Sequence, residues 1–226
     1  MLNHYDEVFT PGRGRPLGAP MHIEQNSNVK PVQSPRRRIP IAKLHNVNAE
    51  LERLCEDGTI APVTQPTESL SNMLVKEKSN GKIRICIDPS QTINKAIRRL
   101  VYTIPTIEEK LPHLTNANVF TIVDVSGAFH NIVLDEPPSL LTTFQSPSGR
   151  FRYNCMPFCI SSGPEEYQRR QQEFVEGLNG VTNIAEDICI LGCGNTKEEA
   201  DKDHDRNLIS LLDRCSKRNL RLSPKK

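Results

Sequence analysis

Three carboxylates stand in stretches of the sequence that are otherwise apolar. Asp124 lies inside the run VFTIVDV, and Glu186 and Asp187 lie between TNIA and ICIL. A buried carboxylate is costly unless a positive group binds it, and hard divalent cations such as Mg²⁺ prefer oxygen ligands. Two strands presenting these acids side by side would hold two ions roughly 3.5–4 Å apart, as in phosphoryl transfer. For either cluster alone, acids that cap turns at strand ends are the simpler explanation.

Basic side chains accompany the acids on a predicted hairpin. Lys82 and Arg84 alternate with isoleucines on one strand, and Lys76 and Lys78 stand on the strand before it. Arginine suits a bidentate grip on phosphate oxygens, and lysine adds a point charge. The same alternation is typical of the charged outer face of a two-stranded ribbon, so the pattern alone leaves both interpretations open.

Two further stretches of the chain are basic. The stretch 30–43 contains no acid, and the last thirteen residues, RCSKRNLRLSPKK, hold six basic side chains. The first stretch predicts either a phosphate contact or a solvated arm. The second is also explained by cations that complement a helix C-terminus. The basic residues of the first stretch are Lys30, Arg36, Arg37, Arg38 and Lys43.

Helices and hairpins must position these groups. Leu44, Val47, Leu51 and Leu54 recur at helical spacing before Gly58. Strands flank the Asn80-Gly81 turn over 72–88. Further helices are predicted with Pro105 in a first turn, after Gly163, and from about Lys197 to Asn219, and short strands around NIVL, LTTFQ and RFRYNCM. This order predicts an α+β fold rather than a doubly wound parallel sheet.

Composition restricts the class of protein. The chain has 226 residues, 36% of them hydrophobic and 25% charged, which is typical of a globular protein. It contains no apolar run long enough for a membrane span and no secretory signal at its start. Its seven cysteines form no CxxC pair, which excludes a zinc ribbon and disfavours a disulfide scaffold. We therefore expect an intracellular protein, cytoplasmic or nuclear.

Four motifs in a fixed order point to one family. NGKIRICIDPSQTINKAI and VFTIVDVSGAF come first, followed by MPFCISSGPEEYQRR and NIAEDICILG. They resemble the fingers hairpin, the first catalytic motif, the MPFG…P…FQ motif and the x-x-Asp-Asp hairpin of the reverse transcriptases of gypsy-like LTR retrotransposons and retrovirus-related Pol polyproteins. The resemblance runs from about Phe9 to Lys226.

The resemblance implies the fingers and palm of a right-hand polymerase, with an antiparallel palm sheet backed by helices and no thumb. The expected parts are an extended proline-rich basic arm over 1–42, fingers with the first palm helix over 43–118, and a palm over 119–226. The palm is interleaved with the fingers around 132–160.

The resemblance also implies roles for individual residues. Asp124, Glu186 and Asp187 would be catalytic and would bind Mg²⁺, or alternatively Mn²⁺, together with the backbone of Val125. Deoxynucleoside triphosphates and a primer–template would be the partners. The implied nucleotide-binding residues are Arg84, Lys76, Lys78, Phe129, Phe158, Lys225 and Lys226. The implied nucleic-acid-binding residues are Arg36, Arg37, Arg38 and Asn94.

Three positions depart from the family pattern. The family normally has aspartate in place of Glu186 and glycine in place of Cys159, and many members have a tryptophan near Ser69. The predicted function is RNA-directed DNA polymerisation, with these departures putting activity in question. The alternative is a catalytically dead, retroelement-derived fragment that binds nucleic acid or protein. A two-metal nuclease has no support beyond the carboxylates.

Overall fold

The computed structural model describes residues 4–77, 81–99, 102–184 and 187–223. The helices are α1 (Ile41–Glu56), α2 (Ile93–Ala96), α3 (Ile107–Leu114), α4 (Glu136–Leu141), α5 (Gly163–Val175) and α6 (Lys197–Arg218). The strands are β1 (Ile60–Pro62), β2 (Ser71–Glu77), β3 (Ile83–Asp88), β4 (Ala117–Val125), β5 (Phe144–Ser146), β6 (Gly149–Tyr153), β7 (Val181–Ile184), β8 (Asp187–Cys193) and β9 (Leu222–Ser223). Short 3₁₀ turns cover Asp6–Phe9 and Ala128–Asn131. The fold is α+β, as predicted.

The chain forms two compact units. We call the first the carboxylate unit; it comprises Met1–Gly18, Val101–Asn131 and Pro164–Lys226. We call the second the hairpin unit; it comprises Ala19–Leu100 and Ile132–Gly163. Each unit is therefore assembled from segments that are distant in the sequence, and each has a sheet of its own.

In the carboxylate unit, the described strands form an antiparallel sheet in the order β7-β8-β4-β9. Successive residues of a strand point to opposite faces, so β4 has two different sides. Phe120 and Ile122 lie on one face and are 51% and 54% exposed. On the other face, the Thr121 hydroxyl and Nε2 of His204 on α6 share a 2.9 Å hydrogen bond. Helix α6 therefore backs the face of the sheet opposite to Phe120, Ile122 and Asp124.

Helix α6 is the longest described element, and its ends carry the expected signals. Thr196 and Glu199 form a capping box at its start. At its end Asn219 is left-handed, with φ +49°, and its N–H bonds back to the last turn. Ala200, Leu211, Leu212 and Cys215 are buried on one side. The periodicity in the sequence thus places this helix correctly.

In the hairpin unit, the described strands form a sheet in the order β1-β6-β5-β2-β3. All pairings are antiparallel except β2 with β5. Ile83, Ile85 and Ile87 are at most 9% exposed, whereas Arg84 between them is exposed. The predicted antiparallel pairing of these two strands is confirmed, with β3 at the edge of the sheet, whereas Asn80 of the predicted turn lies outside the described residues.

Several local predictions need correction. Pro105 precedes α3 instead of lying in its first turn, because Thr106 is the N-cap and forms a capping box with Glu109. The segment NIVL is no strand, since it follows a 3₁₀ turn and makes only isolated bridges through Val133 and Leu134. The start of LTTFQ belongs to the end of α4, and only its last two residues enter β5.

The N-terminal stretch is extended but not detached. Tyr5, Val8 and Leu17 are buried in the carboxylate unit, and Met21 and Ile23 are buried in the hairpin unit. The Tyr5 hydroxyl donates a 2.6 Å hydrogen bond to Asp213 of α6. The prolines disfavour long helices and central strands here, but apolar side chains between them still bury surface. Only part of the stretch is therefore a solvated arm.

All seven cysteines are free thiols. Among the described helices, none has the length and apolar character that crossing a bilayer requires.

Candidate active site

Asp124 and Asp187 are direct partners across two central strands. Asp124, the penultimate residue of β4, lies opposite Asp187, the first residue of β8. Directly opposite residues of an antiparallel pair point to the same face, with Cβ atoms about 4.5–5.5 Å apart. The structure therefore brings together two of the three predicted carboxylates on one sheet face. Both side chains are half-buried.

Strands flank Asp124 on both sides. On its other side Asp124 lies opposite Ser223 of β9, and the adjacent Val125, which is 3% exposed, lies opposite Leu222. Burial, together with the negative charge of Asp187, raises the pKa of the Cys189 thiol on the same face. Like charges directly opposite each other repel, and a cation bound to both carboxylates would relieve that repulsion.

The chemistry of this donor set fits a hard divalent cation. Carboxylate oxygens are the ligands that Mg²⁺ prefers, and it usually takes only one or two of them from the protein. Among the described residues, no cluster of three histidine, cysteine or acidic side chains occurs. The third predicted acid, Glu186, lies outside the described residues. Asp124 and Asp187 are thus the described part of the candidate metal site.

Phe129 lies in the 3₁₀ turn that follows β4 and is 8% exposed. Its ring centroid is 5.5 Å from that of Tyr167 on α5, with a tilt of 50° between the rings. Gly127, at φ +66°, makes the turn between β4 and this ring. The same short segment thus carries Asp124 at one end and Phe129 at the other.

In the hairpin unit, two cations face each other across the hairpin. Arg84 on β3 lies directly opposite Lys76 on β2, and both are exposed. The guanidinium carbon of Arg84 is 4.7 Å from the centroid of the Phe158 ring, which is a cation–π contact. The structure thus brings together three predicted nucleotide-binding residues. An anion would relieve the repulsion between the two cations.

The segment after Phe158 is held in an unusual conformation. Cys159 has φ +75°, in the left-handed region that glycine adopts at little cost. The side chain of Asn94 fixes it: Nδ2 donates to the Cys159 carbonyl at 2.9 Å, and Oδ1 accepts from the Ser161 N–H at 2.9 Å. Both ends of the Asn94 amide are therefore used inside the hairpin unit, and its predicted contact with nucleic acid stays a prediction.

The three arginines of the N-terminal basic arm follow a segment that pairs with Leu70. Gln33 bridges to Leu70, and the Ser34 N–H donates to the Leu70 carbonyl at 2.8 Å. The three arginines that follow are exposed, and Arg37 forms an ion pair with Asp88 at 2.8 Å. Lys78, Lys225 and Lys226, the remaining predicted nucleotide-binding residues, lie outside the described residues.

Comparison with known proteins decides the family. Residues 75–226 match the sequence profile of the family described as reverse transcriptase (RNA-dependent DNA polymerase). The chain belongs to the reverse transcriptase family. The predicted resemblance is confirmed, and enzymes of this family generally use divalent metal ions.

The similar relatives are much longer proteins than this chain. An uncharacterized protein from Caenorhabditis elegans is 29% identical over 227 aligned residues, which cover 100% of this chain and 17% of that protein. The retrovirus-related Pol polyprotein from transposon 412 of Drosophila melanogaster is 28% identical over 205 residues, covering 87% of this chain and 16% of that protein. The chain therefore spans about a sixth of these relatives.

Solved structures share the fold of this reverse transcriptase chain. The native protease–reverse transcriptase of prototype foamy virus superposes with a TM-score of 0.85 at 16% identity, covering 100% of this chain and 29% of that one. The foamy viral enzyme in complex with an RNA/DNA hybrid gives a TM-score of 0.83 at 16% identity, covering 100% of this chain and 30% of that one. At this identity the likeness shows the fold alone.

Sequence reasoning missed the side chains that support Phe129. Periodicity places Tyr167 on a buried helix face, but its contact with Phe129 joins elements 38 residues apart in sequence. Glu166 and Arg170 form a buried ion pair with Nε 2.6 Å from Oε1. Their i, i+4 spacing on a predicted helix is a signal that could have identified this pair.

Proposed function

We propose that the chain is the fingers and palm of a retroelement reverse transcriptase and transfers deoxynucleotides onto a primer 3′-hydroxyl, releasing pyrophosphate. The observation that carries the proposal is the direct pairing of Asp124 with Asp187 at the ends of two central strands. A like-charged pair held opposite each other on adjacent strands is suited to bind cations. Family membership supports the same assignment.

Asp124 and Asp187 would hold two Mg²⁺ ions, with Mn²⁺ as an alternative, together with Glu186 and the backbone of Val125. When bound, the ions lower the pKa of the attacking hydroxyl and neutralise the leaving phosphates. The carboxylates contribute fixed negative charge and orientation. Their positions on β4 and β8 limit the motion that would otherwise misplace the reacting groups.

Arg84 and Lys76 would bind the triphosphate. A guanidinium binds two phosphate oxygens at once, and the ring of Phe158, 4.7 Å from the Arg84 guanidinium carbon, holds it in place. The repulsion between Arg84 and Lys76 disappears when an anion binds both. Lys78, Lys225 and Lys226 stay sequence-based candidates for the same role.

Phe129 would select the sugar by excluding a 2′-hydroxyl. Its ring is packed against Tyr167 and cannot move aside without losing that contact. A buried aromatic ring in a short turn is a firmer barrier than a side chain on a mobile loop. The exposed residues Arg36, Arg37 and Arg38, with Asn94, would contact the primer–template.

A second candidate function is a catalytically inactive nucleic-acid-binding or interaction domain. It is favoured by Cys159, whose left-handed backbone conformation matches the glycine that the family normally has there. Glu186 in place of aspartate favours it too, since the extra methylene displaces the carboxylate by about one C–C bond. A misplacement of roughly 1 Å can reduce a rate on the order of a hundredfold.

Primer extension on an RNA template, with Mg²⁺ or Mn²⁺, distinguishes the two functions. The comparison includes this chain, a version extended with the thumb of a relative, and extended Glu186→Asp, Cys159→Gly and doubly substituted versions. We expect weak extension by the chain itself and the strongest by the double substitution. Binding of primer–template without extension by any version would favour the inactive domain.

A further inference from the structure

The turn that carries Phe129 is held from outside by a chain of hydrogen bonds. Within the turn, Asn131 is fully buried; its N–H donates to Gly127 at 3.2 Å and its side-chain amide donates to the Ser126 carbonyl at 3.0 Å. The Asn131 carbonyl in turn accepts the Leu17 N–H at 2.7 Å. The turn is therefore tied to the N-terminal segment by main-chain contact.

Arg170 on α5 completes this connection. Its Nη1 donates to the Leu17 carbonyl, and its Nε donates to Oε1 of Glu166 at 2.6 Å. Arg170 and Glu166 are only 6% and 7% exposed. Gly18 has φ +75°, a left-handed conformation that a residue with a side chain would adopt only with strain.

The charge of Glu166 stabilises the arginine. Burial alone would raise the pKa of Glu166, but hydrogen bonds from Arg169 and Arg170 outweigh this effect and lower it. Glu166 is therefore an anion at neutral pH and holds the Arg170 guanidinium at a fixed distance from α5. A buried guanidinium that bridges a carboxylate and a main-chain carbonyl has little freedom to turn.

The same helix also touches Phe129 directly. Tyr167, whose ring packs on Phe129, precedes Arg170 by about one helical turn. Helix α5 therefore supports the turn at two points, through a ring at Phe129 and through Leu17 at Asn131. Two separate points of support restrain the orientation of a short segment more than one would.

We propose that Arg170 is a positioning residue that fixes the Ser126–Asn131 turn through the main chain of Leu17 and thereby fixes the Phe129 ring. The expected effect of Arg170 on sugar selection rests on the proposed function. The role is local, because the connection from Arg170 reaches the turn through Leu17 and Asn131 and does not pass through β4 or β8. Loss of Arg170 should loosen the turn while leaving the sheet that carries the carboxylates in place.

The neighbouring arginine is a matched control. Arg169 also binds Glu166, with Nη2 2.8 Å from Oε1, and it binds Glu173. Both of these partners lie on α5 itself, so Arg169 stabilises the helix without reaching the N-terminal segment. Arg169→Met and Arg170→Met each remove one arginine from Glu166, but only the second also removes the bond to Leu17.

Amide hydrogen exchange tests the positioning. We expect Arg170→Met to accelerate exchange of the Leu17 and Asn131 amides about tenfold or more, and Arg169→Met to change it less than about twofold. Arg170→Lys keeps a charge beside Glu166 but cannot bridge both acceptors. This variant should fold, and its Leu17 and Asn131 amides should still exchange faster than in the native chain. It tests the positioning role if Arg170→Met does not fold. Equal acceleration in the Arg169 and Arg170 variants would overturn the proposal.

Nucleotide discrimination tests the consequence. The ratio of dUTP to UTP affinity, measured by competition binding, should fall several-fold in the Arg170 variants and stay unchanged in Arg169→Met. Faster exchange with an unchanged ratio would overturn the link to sugar selection. Failure of the native chain to bind either nucleotide would contradict the proposed function, whereas the exchange comparison decides the positioning role by itself.

Discussion

The two units each contain a like-charged pair across an antiparallel hairpin, but the pairs differ in sign and support. Asp124 lies on β4, which has a neighbouring strand on each side, and faces Asp187. Arg84 lies on β3, at the edge of its sheet, and faces Lys76. The acidic pair is suited to bind cations, and the basic pair is suited to bind an anion.

The difference in support predicts different consequences of substitution. The acidic pair is fixed by main-chain pairing on both sides of β4, so removing a charge there should affect chemistry more than folding. The basic pair has main-chain pairing on one side only, with the Phe158 ring against the guanidinium. Substitutions there should weaken ligand affinity according to how many hydrogen bonds to phosphate the new side chain can still donate.

The largest effect is expected from Asp124→Asn. Primer extension should fall by more than about a hundredfold, the upper figure for losing a residue that merely supports a metal ligand. Without metal, the thermal midpoint should hold or rise slightly, because the repulsion from Asp187 is removed. Asp201→Asn, at an exposed site on α6, is the control and should change neither quantity. A variant that extends primers normally would show that the carboxylate pair is not catalytic.

A smaller effect is expected from Arg84→Ala. Triphosphate affinity should weaken by roughly 1.5–3 kcal/mol, the usual cost of losing a charged hydrogen-bond partner. Arg84→Lys should recover part of it, since lysine keeps the charge but not the bidentate geometry. Isothermal titration with a deoxynucleoside triphosphate gives the values, and exposed Arg98→Ala is the control. Equal affinity in Arg84→Ala and Arg98→Ala would remove Arg84 from the nucleotide site.

The basic arm should contribute through counterion release. We expect the logarithm of primer–template affinity to fall against the logarithm of salt concentration with a slope steeper than about −2. Arg36→Ala and Arg38→Ala should each reduce the slope by about 1. Arg37→Ala should reduce it less, because Arg37 is already paired with Asp88. A flat salt response would assign the arm to protein contacts.

The smallest effect concerns the backbone of Cys159. A left-handed conformation costs a non-glycine residue about 1–2 kcal/mol, whereas glycine adds roughly 0.5–1 kcal/mol of chain entropy in the unfolded state. Cys159→Gly should therefore stabilise the protein by about 1 kcal/mol or less, measured by thermal unfolding. Cys193→Gly, at the exposed end of β8, should destabilise it. Destabilisation by both would mean that the strain at Cys159 is absent.

Much of this arrangement follows from the sequence. Strict alternation around Ile83, Ile85 and Ile87 fixes the face of Arg84, because a one-residue shift would bury the guanidinium. The apolar runs around Asp124 and Asp187 predict two paired strands, and the register then places the acids opposite each other. These features depend on periodic burial, which the order of residues records directly.

Other features depend on contacts that leave no pattern. Helix α4 begins Glu-Pro-Pro and has six residues, too few for a periodic signal, and the sequence predicts a strand where it ends. Leu17 holds Asn131 through its main chain, which any residue but proline could do. The sequence carries no sign of such a bond. The conformation of Cys159 is likewise invisible without a structure, because only the family's glycine hints at it.

The central claim is that Asp124 and Asp187 bind the cations of nucleotidyl transfer, and Mn²⁺ titration followed by electron paramagnetic resonance tests it most directly. The chain, Asp124→Asn and the Asp201→Asn control would be titrated with and without a deoxynucleoside triphosphate. The account predicts saturable Mn²⁺ binding that the nucleotide strengthens, is retained in Asp201→Asn and is lost or greatly weakened in Asp124→Asn. Equal Mn²⁺ binding by Asp124→Asn and the native chain would contradict it.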